Sequence, residues 1–252
     1  MPIYVGVNGE AKLVTEAYIG NRNNQAVPLY LGNIIPKTHI PVSYIYLTNS
    51  LSHYDLDTNI IPSVYTKTIT VFAPYNHNNG GSAIRLLYSG GDNYRAGFYR
   101  EDPNNLYIYC GDFHIPGNTY QYNGPTLQFL PNLNSIPTNY YTLIMNKSTN
   151  KETVLKVNND EVYRIGTNPS GTINNAETIK LIGSEFAPIC YFAVYKNSIT
   201  NITPLKEYFP CIERDSGVPG FYETTQGIFY FNNKGRYAAG PAINEYSLPS
   251  FD

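Results

Sequence analysis

Residues 65–71, Tyr-Thr-Lys-Thr-Ile-Thr-Val, alternate polar and apolar side chains, the period of a strand with one buried face. Short apolar or alternating runs recur at 83–89, 96–100, 106–110, 140–145, 153–157, 178–182 and 190–195. Turn clusters such as Asn76-His77-Asn78-Asn79-Gly80-Gly81 and Ser89-Gly90-Gly91-Asp92-Asn93 separate them. No window sustains a helical period, and the nearest approach is one turn at 205–208. About a dozen short strands at this spacing predict an all-β chain folded as a β-sandwich.

Both ends carry their own pattern. Tyr4-Val5-Gly6, Tyr18-Ile19-Gly20 and Tyr30-Leu31-Gly32 repeat one aromatic–aliphatic–glycine step, with a hairpin signal at Asn8-Gly9 and a turn at residues 21–24. Residues 1–35 therefore read as a small β-hairpin repeat segment, too short for its own core and built to dock on something. Pro36 and Pro41 mark the junction to a second unit, 36–252. Near the other end, "DSGVPGFYETTQGIFYFNN" (215–233) reads as two aromatic strands joined by the turn Thr224-Thr225-Gln226-Gly227. Its Tyr222, Phe229 and Phe231 are expected to lie over the edge of the sandwich and seal it against edge pairing.

Composition narrows the function. The chain has 252 residues, 42% apolar and 14% charged, with a formal net charge of -2. Lys and Arg are scattered, so nothing tracks a phosphate backbone, and nucleic acid is excluded as a partner. No run of 18 apolar residues predicts membrane insertion. The chain starts Met1-Pro2-Ile3-Tyr4 without a secretory pattern, and Cys110, Cys190 and Cys211 form no CxxC; thiols kept reduced inside a cell are expected. Tyrosine is the anomaly: 25 Tyr and 11 Phe against no Trp. Most suit sheet faces, but a minority gathered on one rim would make a contact surface for sugar or protein.

A resemblance sharpens this. Tyr140-Tyr141-Thr142-Leu143-Ile144-Met145, then residues 153–163 with the Asn158-Asn159-Asp160 turn, then Ile179-Lys180-Leu181-Ile182-Gly183, then Ile189 to Asn197 follow in order. Together, residues 138–196 resemble the laminin-G-like, concanavalin A-like jelly-roll family. The tail, Phe209-Pro210-Cys211-Ile212 through Gly220-Phe221-Tyr222-Glu223 and Ile228-Phe229-Tyr230-Phe231-Asn232-Asn233 to Ala239-Gly240-Pro241, is similar to the end of lectin-like domains in phage and prophage tail or fibre proteins. It departs from them at Phe221, where Leu is usual, and at Glu223, where Asp is usual. The resemblance implies a jelly-roll β-sandwich in a virion protein assembled in the cytoplasm of a bacterial host. It also implies a homo-oligomer, by analogy with fibres a trimer.

Catalytic chemistry finds little support. A glycoside hydrolase needs two carboxylates about 5–9 Å apart across one sugar. Acidic pairs two residues apart occur only at Asp55/Asp57 and Glu213/Asp215; the second resembles the start of a Glu-x-Asp-x-x-Glu strand, but Val218 occupies the third acidic position and Ser216-Gly217 breaks the strand. No nucleophile elbow, P-loop or dinucleotide fingerprint is present, so no catalytic residue is assigned. Asp55, Asp57 and Asn59 alternate like calcium ligands but lack the glycine and glutamate of a calcium loop, which leaves calcium as the one cofactor in view. His39, His53, His77 and His114 are too dispersed for zinc. The expected role is receptor binding, with loops presenting rings and planar polar groups to a host-surface glycan. The contacts nominated are Asn76, His77, Asn78, Asp92, Asn93, Tyr94, Arg95 and His114, and the N-terminal segment would meet other virion proteins. The alternative is a purely structural adaptor, collar or decoration protein that binds only virion subunits.

Overall fold

A computed structural model describes the backbone of residues 4–7, 10–13, 17–20, 26–29, 35–48, 54, 56–61, 66–75, 85–89, 96–102, 105–110, 119–121, 128–146, 152–166, 178–184, 188–196, 204–232 and 236–249. Side chains are described for 35–48, 54, 56–61, 66–75, 128–144, 153–164, 178–181, 188–196, 204–232 and 236–249.

Every named element is a strand. In chain order the first are β1 (Tyr4–Val7), β2 (Glu10–Leu13), β3 (Ala17–Gly20), β4 (Ala26–Leu29), β5 (His39–Pro41), β6 (Ile45–Leu47) and β7 (Leu56–Asp57). Then come β8 (Thr66–Phe72), β9 (Arg85–Ser89), β10 (Ala96–Asp102), β11 (Asn105–Cys110), β12 (Thr119–Gln121), β13 (Tyr141–Asn146) and β14 (Glu152–Val157). The last are β15 (Asp160–Gly166), β16 (Lys180–Ser184), β17 (Ile189–Lys196), β18 (Pro204–Glu213), β19 (Pro219–Glu223), β20 (Ile228–Phe231) and β21 (Tyr237–Ala239). The all-β expectation holds. The nearest approach to a helical turn, 205–208, is strand: those residues lie in the first half of β18, because Tyr208 and Lys206 pair with Phe192 and Val194 of β17. Tertiary pairing overrides a weak local periodicity.

One large antiparallel sheet runs β15-β14-β13-β8-β17-β18-β19-β20, with β5, β6 and β21 attached along β17 and β18. A smaller sheet runs β7-β16-β9, and β10-β11-β12 form a third. The chain alternates between layers: β8 and β13 to β15 lie in the large sheet, β9 and β16 in the small one, β17 and β18 in the large one again. That shuttling makes the molecule a jelly-roll sandwich. β1 pairs with β2, and β3 with β4.

The core between the layers joins Leu56, Ile179 and Leu181 of the small sheet and its flank to Phe72, Leu143, Leu155, Phe192, Val194, Tyr208 and Phe221 of the large one. Register explains the set: Leu155, Leu143, Thr70, Phe192 and Tyr208 stand opposite one another on successive strands, so they share a face. Each fully buried large side chain contributes about 1.5–3 kcal/mol.

The opposite, outer face of the large sheet is also covered. Ile69, Val71, Ile144, Val154, Tyr191, Ala193, Phe209 and Cys211 lie on it, and Ile35, Leu130, Tyr246 and Leu248 pack over them. Burial on both faces is why β17, Ile-Cys-Tyr-Phe-Ala-Val-Tyr, reads as a continuous apolar run rather than an alternation. The C-terminal segment zips on through Ser43 N to the Pro241 carbonyl and Gly240 N to the Tyr44 carbonyl, both 2.9 Å. A Cβ on Gly240 would stand 2.5 Å from the Tyr44 ring, so the close approach needs glycine there.

The tail hairpin forms as expected, with Glu223 opposite Ile228 and Gly220 opposite Phe231. It does not seal the edge. Among the described residues β20 is itself the last strand of the sheet, and Phe231 is 55% and Ile228 42% exposed.

Candidate functional site

Four neighbouring strands, β17 to β20, send one coherent set of side chains to the outer face. Pairing of Ala193 with Glu207, Phe209 with Tyr222 and Tyr222 with Phe229 puts Tyr191, Tyr195, Glu207, Phe209, Thr224, Tyr222, Phe229 and Phe231 on that side. Rings touch along the strip: Tyr191 to Phe209 at 5.2 Å between centroids, and Phe229 to Phe231 at 5.8 Å, stacked at 20°. Exposure rises along it, from buried Tyr191 and Phe209 through half-buried Tyr222 and Phe229 to exposed Phe231.

At the buried end the polar atoms form a directed chain. The Tyr191 hydroxyl donates to Glu207 Oε1 at 2.9 Å, and Thr224 Oγ1 donates to Glu207 Oε2 at 2.9 Å. Having given its proton to Glu207, Tyr191 accepts from the half-buried Tyr195 hydroxyl at 2.9 Å. Burial pushes the Glu207 carboxyl above the usual carboxylate range, against the hydrogen bonds of Tyr191 and Thr224, and the nearby Glu223 adds to the rise. Burial also holds the Tyr191 phenol well above its ordinary value.

At the other end His39 of β5 packs against Tyr222 (5.1 Å) and Phe229 (4.8 Å). Its Nδ1 lies 3.0 Å from Thr38 Oγ1, while Nε2 is buried without a hydrogen-bond partner. Burial lowers its basicity, partly offset by the charge of Glu213. The cluster is possible because Gly220 has no side chain: a Cβ there would meet Phe229 Cζ at 2.7 Å and run into the Tyr230 carbonyl oxygen.

On the inner face, directly opposite Tyr208, Glu223 is fully buried. It accepts from Lys206 Nζ at 3.0 Å, Thr225 N at 2.7 Å and Gln226 N at 3.1 Å, and from the Thr225 hydroxyl. Burial alone would raise its carboxyl, but these bonds and the Lys206 charge outweigh that and hold it below the usual range. Glu223, marked in the sequence as a departure from Asp, is the clamp that shapes the 224–227 turn.

Of the residues nominated from sequence, Asn76, His77, Asn78, Asp92, Asn93, Tyr94, Arg95, His114 and Asp55 lie outside those whose side chains are described. Asp57 and Asn59 are placed in a polar turn. Asp57 Oδ1 accepts from Asn59 N at 2.8 Å, Oδ2 accepts from Thr178 Oγ1 at 2.9 Å, and Lys180 Nζ stands 3.6 Å away. Asn59 adopts φ 57°, a left-handed conformation that asparagine tolerates. Among the described residues no cluster of three His, Cys, Asp or Glu side chains is poised for a metal. Glu213 accepts from Ser216 Oγ at 2.6 Å in an exposed turn, where Asp215 is exposed too, so this pair frames no cleft. The sequence reading singled out Tyr222, Phe229 and Phe231 but missed the polar end of the strip, whose signal was the charged Lys206-Glu207 pair beside the aromatic run of β18.

No family model and no curated protein matches the chain. Among solved structures, it is similar to the CBM40 of Ruminococcus gnavus IT-sialidase bound to α2,3-sialyllactose, at 14% identity and TM-score 0.39 over 68% of this chain and 95% of that one. It is also similar to the potassium-bound carbohydrate recognition domain of Emp46p, at 15% identity and TM-score 0.32 over 59% and 76%. A leech intramolecular trans-sialidase aligns at 12% identity and TM-score 0.38 over 86% of this chain and 40% of its own.

Proposed function

We propose that this chain is a non-catalytic, glycan-binding module of lectin type, working as a receptor-binding or tail-fibre protein of a phage virion on the surface glycan of a bacterial host. The observation that carries the binding reading is the strip on β17 to β20. It grades from the hydrogen-bonding Tyr195–Tyr191–Glu207–Thr224 group to the exposed Phe231 ring. A pyranose presents an apolar face that stacks on a ring and a rim of hydroxyls that need donors and acceptors, and the strip offers both within four strands. A non-catalytic role is supported by the commitment of the described carboxylates. The two buried ones, Glu207 and Glu223, sit on opposite faces of the sheet and so cannot flank one sugar ring, while Glu213 and Asp57 shape turns. The phage context and the virion location rest on the resemblance of the tail hairpin, and the assignment of residues 1–35 to other virion proteins rests on their hairpin repeat, too short for a core of its own.

The test is binding of the purified chain to surface polysaccharides extracted from candidate hosts, with free sugar as competitor, for the wild type and for Phe231→Ala and Tyr195→Phe. Saturable binding, abolished by free sugar and weakened at least tenfold by either substitution, supports the reading. Absence of sugar-competed binding in folded protein, or binding indifferent to both substitutions, overturns the strip as the glycan site.

A further inference from the structure

The two ends of the large sheet are treated differently. β15 carries Asp160, Glu161 and Arg164, and Glu161 and Arg164 are both exposed and paired, Arg164 Nε donating to Glu161 at 2.8 Å. Charges on an edge strand keep other strands from adding to it. β20 has none: from Thr224 to Asn233 there is no charged residue and no proline. Among the described residues no strand pairs with its outer edge, and Ile228 and Phe231 are its exposed side chains. An uncharged aromatic edge of this kind is a template for another strand.

We infer that β20 is the edge on which a second copy of this chain adds, antiparallel about a two-fold axis perpendicular to the sheet, so that two large sheets become one. The occupant follows from charge and symmetry. An uncharged run has nothing to steer a charged peptide, whereas a copy of itself meets no like charge and leaves no buried charge unpaired. Opposed residues in an antiparallel ladder point to the same face. The register centred on Tyr230 therefore pairs Tyr230 with the partner's Tyr230, Phe229 with the partner's Phe231, and Ile228 with the partner's Asn232. Four phenylalanines then gather on the outer face across the axis, where Phe229 and Phe231 already stack within each copy. The rings stay on the outer surface, so the pairing joins two binding strips rather than covering them.

The experiment is sedimentation velocity of the full chain without any sugar, for the wild type and Phe231→Lys, together with oxidative cross-linking of the double variant I228C/N232C. In the Tyr230-centred register, Ile228 and Asn232 of different copies are direct neighbours on the inner face, away from the strip. Within one strand they are about 13 Å apart and cannot bridge. The wild type is expected to be a concentration-dependent dimer. Phe231→Lys is expected to raise the dissociation constant at least tenfold, and the double variant to run as a disulfide-linked dimer that reductant dissolves. A wild type that stays monomeric at several hundred micromolar overturns the inference. So does a trimer, or a dimer indifferent to Phe231→Lys that fails to cross-link.

Discussion

Removing the Glu223 side chain should cost this domain more than any other single change in the tail hairpin. Its carboxylate is fully buried, and the Lys206 side chain that donates to it is only 10% exposed. In Glu223→Ala the ammonium stays where it is and loses its countercharge, a situation that costs about 3–5 kcal/mol. The amides of Thr225 and Gln226 also lose their acceptor, but both residues are exposed and water can replace it. The expected loss is thus about 3–5 kcal/mol, or roughly 6–20 °C in Tm for a chain of this size. Glu223→Gln keeps the shape and surrenders the charge, for about 1.5–3 kcal/mol. The assay is urea unfolding at pH 7 followed by far-UV circular dichroism and by tyrosine fluorescence, since the chain has no Trp. Because the folded carboxyl is held below its ordinary value, its stabilisation is complete above the unfolded value near about 4.3 and disappears as pH falls through the folded one. The gap between wild type and Glu223→Gln should therefore close in acid. A Glu223→Ala cost below about 1 kcal/mol, well under the range for a broken buried pair, or a gap to Gln that persists in acid, would refute the reasoning.

The neighbouring glutamate should behave in the opposite sense. Glu207 is buried with its carboxyl pushed up, so what it contributes is present at low pH and lost as pH rises through the folded value; Glu207→Gln should leave stability at pH 7 unchanged or raised, its advantage growing with pH in the same unfolding assay. Gly220→Ala drives a methyl into Phe229 Cζ and the Tyr230 carbonyl and should cost about 1–3 kcal/mol, read as a fall in Tm. Burial pushes the Cys211 thiol up to about 12 and Cys190 higher still, so neither should take up iodoacetamide at pH 8 in native protein, while both do so in urea, as peptide mass spectrometry would show.

The strand pattern of this chain was written in local chemistry. The alternation of residues 65–71, the Asn158 turn at φ 53° between β14 and β15, and the Gly227 turn at φ 72° between β19 and β20 are decisions a few adjacent residues make by themselves. Hence the all-β class, most strands and the tail hairpin were legible. Which strands become neighbours was not, because pairing joins residues far apart in sequence: Thr68 to Met145 on one side and to Val194 on the other. That is why residues 205–208 were the nearest approach to a helical turn and Glu207 passed unnoticed. The partners that make Glu207 a site, Tyr191 on β17 and Thr224 in the turn after β19, lie 16 and 17 residues away. The same holds for the edge. The aromatic run 228–231 was plain in the sequence, but only the order of strands decides whether such a run seals a sheet or ends one. Local propensity settles conformation over a few residues; neighbours, faces and edges are properties of the closed sheet and exist only once the whole chain has paired.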